Sequence, residues 1–380
     1  MKLPSQRHLF DIPDDVAYLN CAYMSPLMRR VREAGVAGLT RKAQPWTIAP
    51  RDFFSGSDAL RAAFAALINA RADDIALVPA VSYGVSTAAR NLPLARGQNV
   101  VVSADQFPSN VLPWRERARE VGAELRTLPC PATGAWTDAV LEAMDDDTAV
   151  VALPHCHWVD GGLFDLERIG AECRRRGAAL ALDVTQSLGV LPLDVTRVQP
   201  DFLSCAGYKW LMGPYSVSFL YAAERWQQHG TPIEHNWIHR RNAEDFARLV
   251  DYEDGFEPGA RRFDMGERSN FALVPAAEAA LRQILEWGVD NVRETVEALA
   301  DRIVERVAPL GLSVLPKDLR APHYLGLRMA EAPPAQLLPE LAKRQVFVSL
   351  RGPAIRVTPH LYNTQADVDR FAEALEAVLG

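Results

Sequence analysis

LALDVTQSLGVLPLDVTRVQPDFLSCAGYKWLMGPYSVSFLY, residues 180–221, decides how the rest of the chain is read. It places Lys209 in a Gly-Tyr-Lys-Trp turn between two strand-like runs, 201–205 and 217–221. Another such run, 178–184, carries Asp183 near its end and is followed by Gln186 on a polar turn. Parallel strands that end in polar turns put those side chains along one edge of a sheet, where α/β folds build their sites. Outward from this stretch, apolar runs at 75–79, 100–103, 125–128 and 149–153 also read as strands. Amphipathic segments at 59–69, 111–121 and 166–176 lie between the runs. That alternation predicts an α/β fold with a mostly parallel sheet covered by helices on both faces. After Met265 the texture changes. Helices are expected at 275–287 and 291–307, short strands at 313–315, 324–328, 346–350 and 355–358, and a closing helix at 365–379. The division expected is a short N-terminal segment, 1–17, a large domain, 18–269, and a smaller α+β domain, 270–380.

The chain has 380 residues, 48% of them hydrophobic, enough for a large core. Its net charge of −7 offers no footing for nucleic acid or an anionic membrane. Residues 1–15 lack the form of a signal peptide, and no window approaches a membrane span, so a cytoplasmic location is expected. The five cysteines contain no C-x-x-C pair, which argues for free thiols in a reducing compartment. His155 and His157 share a face on an extended chain, but no third ligand stands at a fitting spacing, and no metal is expected.

A lysine held among apolar and aromatic neighbours loses its proton more readily and can condense with an aldehyde. An aspartate opposite a pyridine nitrogen keeps that nitrogen protonated, so that the ring accepts electrons. Together these are the layout of a pyridoxal 5'-phosphate site. The run Asp183-x-x-Gln186-Ser187-x-Gly189, then Asp201-x-x-Ser204, then Gly207-Tyr208-Lys209 resembles the class V aminotransferase family. That family includes cysteine desulfurases, selenocysteine lyases, kynureninases and isopenicillin N epimerase-like enzymes. The likeness continues in the family's order from about Tyr18 to the C-terminus. It implies fold type I of the pyridoxal phosphate enzymes, with a mostly parallel seven-stranded sheet and a smaller C-terminal α+β domain. It also implies a Schiff base through Lys209, a small-molecule amino-acid substrate, and a homodimer whose sites are completed across the interface.

The same resemblance assigns roles residue by residue. Asp183 would face the ring nitrogen, and Gln186 would hold the cofactor. Ser82 and Tyr83 stand in the places of the family's phosphate-binding threonines, at the start of a helix-like stretch where free N–H groups favour an anion. Phe107 replaces the histidine that stacks on the cofactor ring; it can stack but cannot shuttle protons. Trp158 replaces an asparagine that bonds the ring oxygen, and its indole N–H can donate there. Tyr208 takes the place of a phosphate-binding histidine, while Ala206 replaces a common phosphate-binding serine. Glu267 replaces a threonine that reaches the neighbouring subunit's phosphate, leaving Arg268 as a candidate ligand or as the partner of Glu267 in an ion pair. Arg356 would anchor the substrate carboxylate with two parallel hydrogen bonds. Asn20 and Tyr23 belong to a segment bordering the substrate.

Residues 344–356 contain no cysteine, where a desulfurase carries its mobile sulfur acceptor, so a persulfide route is disfavoured. The expected activity is at the α-carbon of a small or sulfur-containing amino acid, with C–S β-elimination ahead of transamination and epimerisation third. A protein that binds the cofactor without turnover is the alternative outside enzymology. The combination of Lys209, Asp183 and Arg356 opposes it, because a pure binder needs no carboxylate anchor.

Overall fold

Seven strands form the central sheet of the computed structural model, which describes all residues, 1–380. They are β1 (Ile75–Val78), β2 (Asn99–Ser103), β3 (Glu124–Leu128), β4 (Thr148–Pro154), β5 (Ala179–Asp183), β6 (Phe202–Ala206) and β7 (Ser218–Ala222). Every residue of β1, β2, β4, β5 and β6 is buried, which is why they read as continuous apolar runs and not as alternating ones. The spatial order is β1-β7-β6-β5-β4-β2-β3, with β7 antiparallel to both of its neighbours and the remaining pairs parallel. The expected mostly parallel sheet and fold type I architecture are thus present. Since only β7 runs backwards, the loops leaving β1, β2, β4, β5 and β6 all emerge at one edge, together with the chain entering β7.

Helix α1 (Asp52–Leu67) starts earlier than its apolar pattern suggested. The Asp52 carboxylate accepts the Ala49 N–H at 2.7 Å and so secures the first turn. Helix α2 (Val81–Asn91) follows β1 directly and passes so close to β6 that a Cβ on Gly84 would collide with the Ser204 hydroxyl. Gly84→Ala is therefore expected to destabilise the protein by about 1–3 kcal/mol, the usual range for overpacking. A urea midpoint equal to that of the wild type would mean that α2 can withdraw from the sheet.

The smaller sheet joins β8 (Leu325–Arg328), β9 (Ser349–Arg351) and β10 (Ala354–Val357) in the antiparallel order β9-β10-β8. The single strand expected at 346–350 divides. Val346–Phe347 pairs in parallel with Ala17–Tyr18, and the chain then switches sheets to form β9. No strand forms at 313–315: Ser313 makes one bridge to Arg328, and the chain then runs into Pro316, which has no N–H to continue a ladder.

Helix α3 (Leu273–Trp287) buries Val274, Ala277, Leu281 and Ile284 in the core beneath the large sheet. Helix α4 (Val289–Val307) contributes Val292 and Val296 to that core, and Ala300, Ile303 and Val307 to the smaller one. Ala17 and Leu19 also lie in the smaller core, with Phe371 and Leu375 of the closing helix α5 (Gln365–Leu379). Thr364 and Asp367 cap α5 reciprocally. No helix is long and apolar enough to cross a membrane.

Candidate active site

Lys209 follows β6 and projects into a cavity of about 390 Å3 at the sheet edge where the parallel strands end. Each adjoining loop supplies part of the wall: Ser82 after β1, Phe107 after β2, Trp158 after β4, Asp183 and Gln186 at the end of β5, and Tyr208 after β6. Residues scattered over more than a hundred positions are thus gathered by strand order alone, as expected at the carboxyl edge of a parallel sheet.

The lysine is 7% exposed, and its Nζ lies 5.3 Å from the Phe107 ring centre and 5.5 Å from that of Tyr208. Burial lowers its pKa to about 8, against the opposing pull of the Asp183 carboxylate, and the nearby Arg356 and Arg351 charges lower it further. Asp183 is pushed the other way: burial raises its pKa, while Thr185, whose N–H it accepts at 3.0 Å, and Lys209 hold it down. An amine eased toward giving up its proton and a carboxyl made more basic than usual occupy the same cavity. The donor set fits pyridoxal phosphate. Asp183 would hold a proton at the ring nitrogen, Phe107 offers an aromatic face, and the N-terminus of α2 with Ser82 presents N–H and hydroxyl donors to a phosphate.

Gln186 is pinned from two sides, donating to the Ala22 carbonyl at 3.2 Å and accepting from the Trp210 indole at 3.0 Å. Trp158 meets Phe107 edge-on at 5.3 Å between ring centres. Its indole N–H, expected to be available to the cofactor, already donates to the Asp105 carbonyl. Tyr208 is half-buried beside Tyr215, with ring centres 4.5 Å apart. Tyr83 does not line the cavity: its hydroxyl is buried near Glu234.

Arg268 also lies away from the cavity, 1% exposed, and its ion pair is with Asp264 at 2.8 Å and not with Glu267. Asp264 additionally accepts from Arg61 at 2.9 Å and from the Leu77 N–H of β1 at 2.8 Å. One buried carboxylate thus holds two buried guanidiniums beneath the sheet. Asp264→Ala is expected to cost about 3–5 kcal/mol, because Arg268 loses its counter-charge and Arg61 keeps only the half-exposed Asp58, 3.5 Å away. An unchanged denaturation midpoint would mean that water reaches them.

Arg356, on β10, is 1% exposed. Its Nε donates to Ser349 Oγ at 2.9 Å and its Nη1 to the Tyr324 hydroxyl at 3.3 Å, while Nη2 is buried with no partner. That nitrogen leaves its N–H groups free for an anion. Asn20 does not reach the cavity; it accepts the Ser349 hydroxyl at 3.0 Å and so steadies the serine that steadies Arg356. Tyr23, 55% exposed, faces solvent. His155 and His157 diverge, the first 3.1 Å from Ser187 Oγ and the second 3.0 Å from the Ala104 carbonyl.

Sequence reasoning missed Arg351. The signal was the Gly352-Pro353 turn, which closes a hairpin and extends β9 by the residue that makes Arg351 a strand position.

Residues 51–371 match the family model described as aminotransferase class-V. The uncharacterized aminotransferase YcbU of Bacillus subtilis is 28% identical over 83% of this chain and 81% of its own length. A kynureninase of Deinococcus radiodurans is 29% identical over 99% of this chain and 93% of its own. Among solved structures, the cystine C–S lyase C-DES, in complex with its reaction product cysteine persulfide, superposes with a TM-score of 0.86 at 19% identity, covering 95% of this chain and 97% of that one.

Proposed function

The chain belongs to the class V aminotransferase family, and from that premise we propose that it is a lyase, cleaving a C–S bond by β-elimination in a small or sulfur-containing amino acid. Pyridoxal 5'-phosphate, when bound, supplies an aldehyde that takes up the amine and a ring that accepts electrons from a bond broken at Cα. The observation that carries the reading is that Lys209, buried and with a pKa of about 8, is the one basic side chain on the cavity wall. It is suited to holding the cofactor and to moving the Cα proton. Epimerisation by two bases needs a second acceptor on the opposite face, and Phe107, in the stacking position, cannot exchange a proton. Arg356 would orient the substrate through its carboxylate, and Asp183 would keep the proton at the ring nitrogen. The α2 N-terminus, Ser82 and Tyr208 would hold the phosphate.

The absence of cysteine from residues 344–356 separates this reading from persulfide-forming desulfuration. A homodimer belongs to the proposal, supported by the exposed apolar side chains Val36, Leu39 and Trp46 at 58%, 63% and 80%.

The test mixes holoenzyme with a panel of amino acids, including cysteine conjugates and their sulfoxides, and follows cofactor absorbance, pyruvate and ammonia together. Pyruvate and ammonia with the resting spectrum regenerated are expected. Accumulation of the cofactor's amine form, reversed by a keto acid, would overturn elimination in favour of transamination.

A further inference from the structure

The β9–β10 hairpin carries two arginines on one face, and the charges of both bear on Lys209; the function above uses one. Ser349 lies opposite Arg356 in the ladder, and Arg351, two residues beyond Ser349, shares their face of the sheet. Both arginines flank Trp158: Arg356 Nη1 lies 3.5 Å from its carbonyl, and the Arg351 guanidinium carbon lies 5.4 Å from its ring centre. Trp158 in turn meets Phe107, over which Lys209 sits. Three cationic side chains therefore converge, and the partners of both guanidiniums are neutral: Ser349, Tyr324 and the Trp158 carbonyl for Arg356, and the Leu350 carbonyl for Arg351.

The α-carboxylate of an amino acid satisfies only Arg356. With a neutral side chain in the site, Arg351 remains partly desolvated beside a like charge and without an anion. Such an arrangement is costly unless an anion completes it. Burial and the Arg356 charge both lower the pKa of Arg351, consistent with that unrelieved repulsion.

We propose that Arg351 recognises a second anionic group on the substrate side chain, a carboxylate or sulfinate close to Cα, so that the enzyme selects acidic amino acids. The proposal rests on the family reading of the site and on Arg356 as the α-carboxylate anchor. It does not depend on which bond is then broken. The position over the Trp158 ring suits it, because a cation–π contact holds the guanidinium while leaving N–H groups free for a planar anion.

Titration calorimetry of the holoenzyme with maleate and with propionate tests it. Wild type is expected to bind the dicarboxylate at least about tenfold more tightly, the worth of one charge-assisted hydrogen-bonded pair. Arg351→Gln should abolish that preference and leave propionate binding where it was, and Arg351→Lys should restore part of it. Equal affinities in wild type, or equal weakening of both ligands in Arg351→Gln, overturns the proposal. Comparing KM for aspartate and cysteine sulfinate with that for alanine then separates a carboxylate preference from a sulfinate one. Selective maleate binding by a protein that forms no pyruvate from any sulfur amino acid would sink the elimination reading and leave this one standing.

Discussion

Lys209→Ala is expected to lower turnover by about 10⁴-fold or more, because the group that accepts the cofactor aldehyde and the group that moves the Cα proton are the same amine. The stability of the cofactor-free protein should move in the opposite direction. The folded-state pKa of Lys209 is lowered from 10.5 to about 8, so between these values the unfolded chain binds more protons than the folded one. Stability then rises with pH across that window. At pH 7 the amine is charged in both states, and its burial costs on the order of 3 kcal/mol. Lys209→Met should therefore denature at higher urea than wild type at pH 7. The gain is reduced by the loss of a counter-charge for Asp183, which would then take up a proton, and it should shrink as pH approaches 10. Full turnover in Lys209→Ala would remove the site assignment, and a less stable Lys209→Met at pH 7 would mean that the lysine is paired more strongly than it is desolvated.

Much of this architecture was legible because the strands that build it are buried on both faces. Ile75–Val78 and Ala179–Asp183 are short apolar runs, and Gly177 and Gly122 end the helices before β5 and β3 in left-handed conformations. Where the reading failed, the deciding interaction was tertiary. Residues 346–350 read as one strand, and only pairing with Ala17–Tyr18 on one side and with β10 on the other divides it. The start of α1 depended on a carboxylate reaching back to Ala49, not on its apolar periodicity.

Among the site residues, those fixed by a strand end were readable. Asp183, Lys209 and Phe107 meet because parallel strands align their termini, which a motif order encodes. Residues whose role depends on direction were not. Tyr83 and Ser82 are neighbours in sequence, yet the helical turn sends one to Glu234 and the other to the cavity. Arg268 is drawn inward by Asp264, a residue of no apparent chemistry in the sequence, whose burial with Arg61 cannot be inferred from spacing. The indole of Trp158 is spent on a carbonyl at Asp105, a residue in a left-handed conformation that no pattern announced.

Arg356→Lys should raise KM for the amino acid by about a hundredfold with a smaller effect on kcat, because it removes a preformed fork and not merely a charge. Nε and Nη1 are already committed to Ser349 and Tyr324, so the guanidinium plane is fixed before substrate arrives, and Nη2 is left buried and unpartnered in the chain. A carboxylate arriving there meets a donor that has already been desolvated and oriented. The loss of one such charge-assisted bond, worth about 1.5–3 kcal/mol, accounts for an effect of that size. A lysine ammonium restores the charge but can neither bridge Ser349 and Tyr324 nor present a planar pair. Asn20→Ala should reproduce a weaker form of the same defect, raising KM by loosening Ser349 while the arginine stays in place. Measuring KM and kcat separately for both variants, alongside acetate inhibition, distinguishes anchoring from folding: a misfolded protein loses kcat and spectrum together, whereas a lost anchor weakens acetate and substrate in step. An unchanged KM in Arg356→Lys would move the α-carboxylate to another cation, and Arg351, on the same face of the hairpin, would then be the residue holding it.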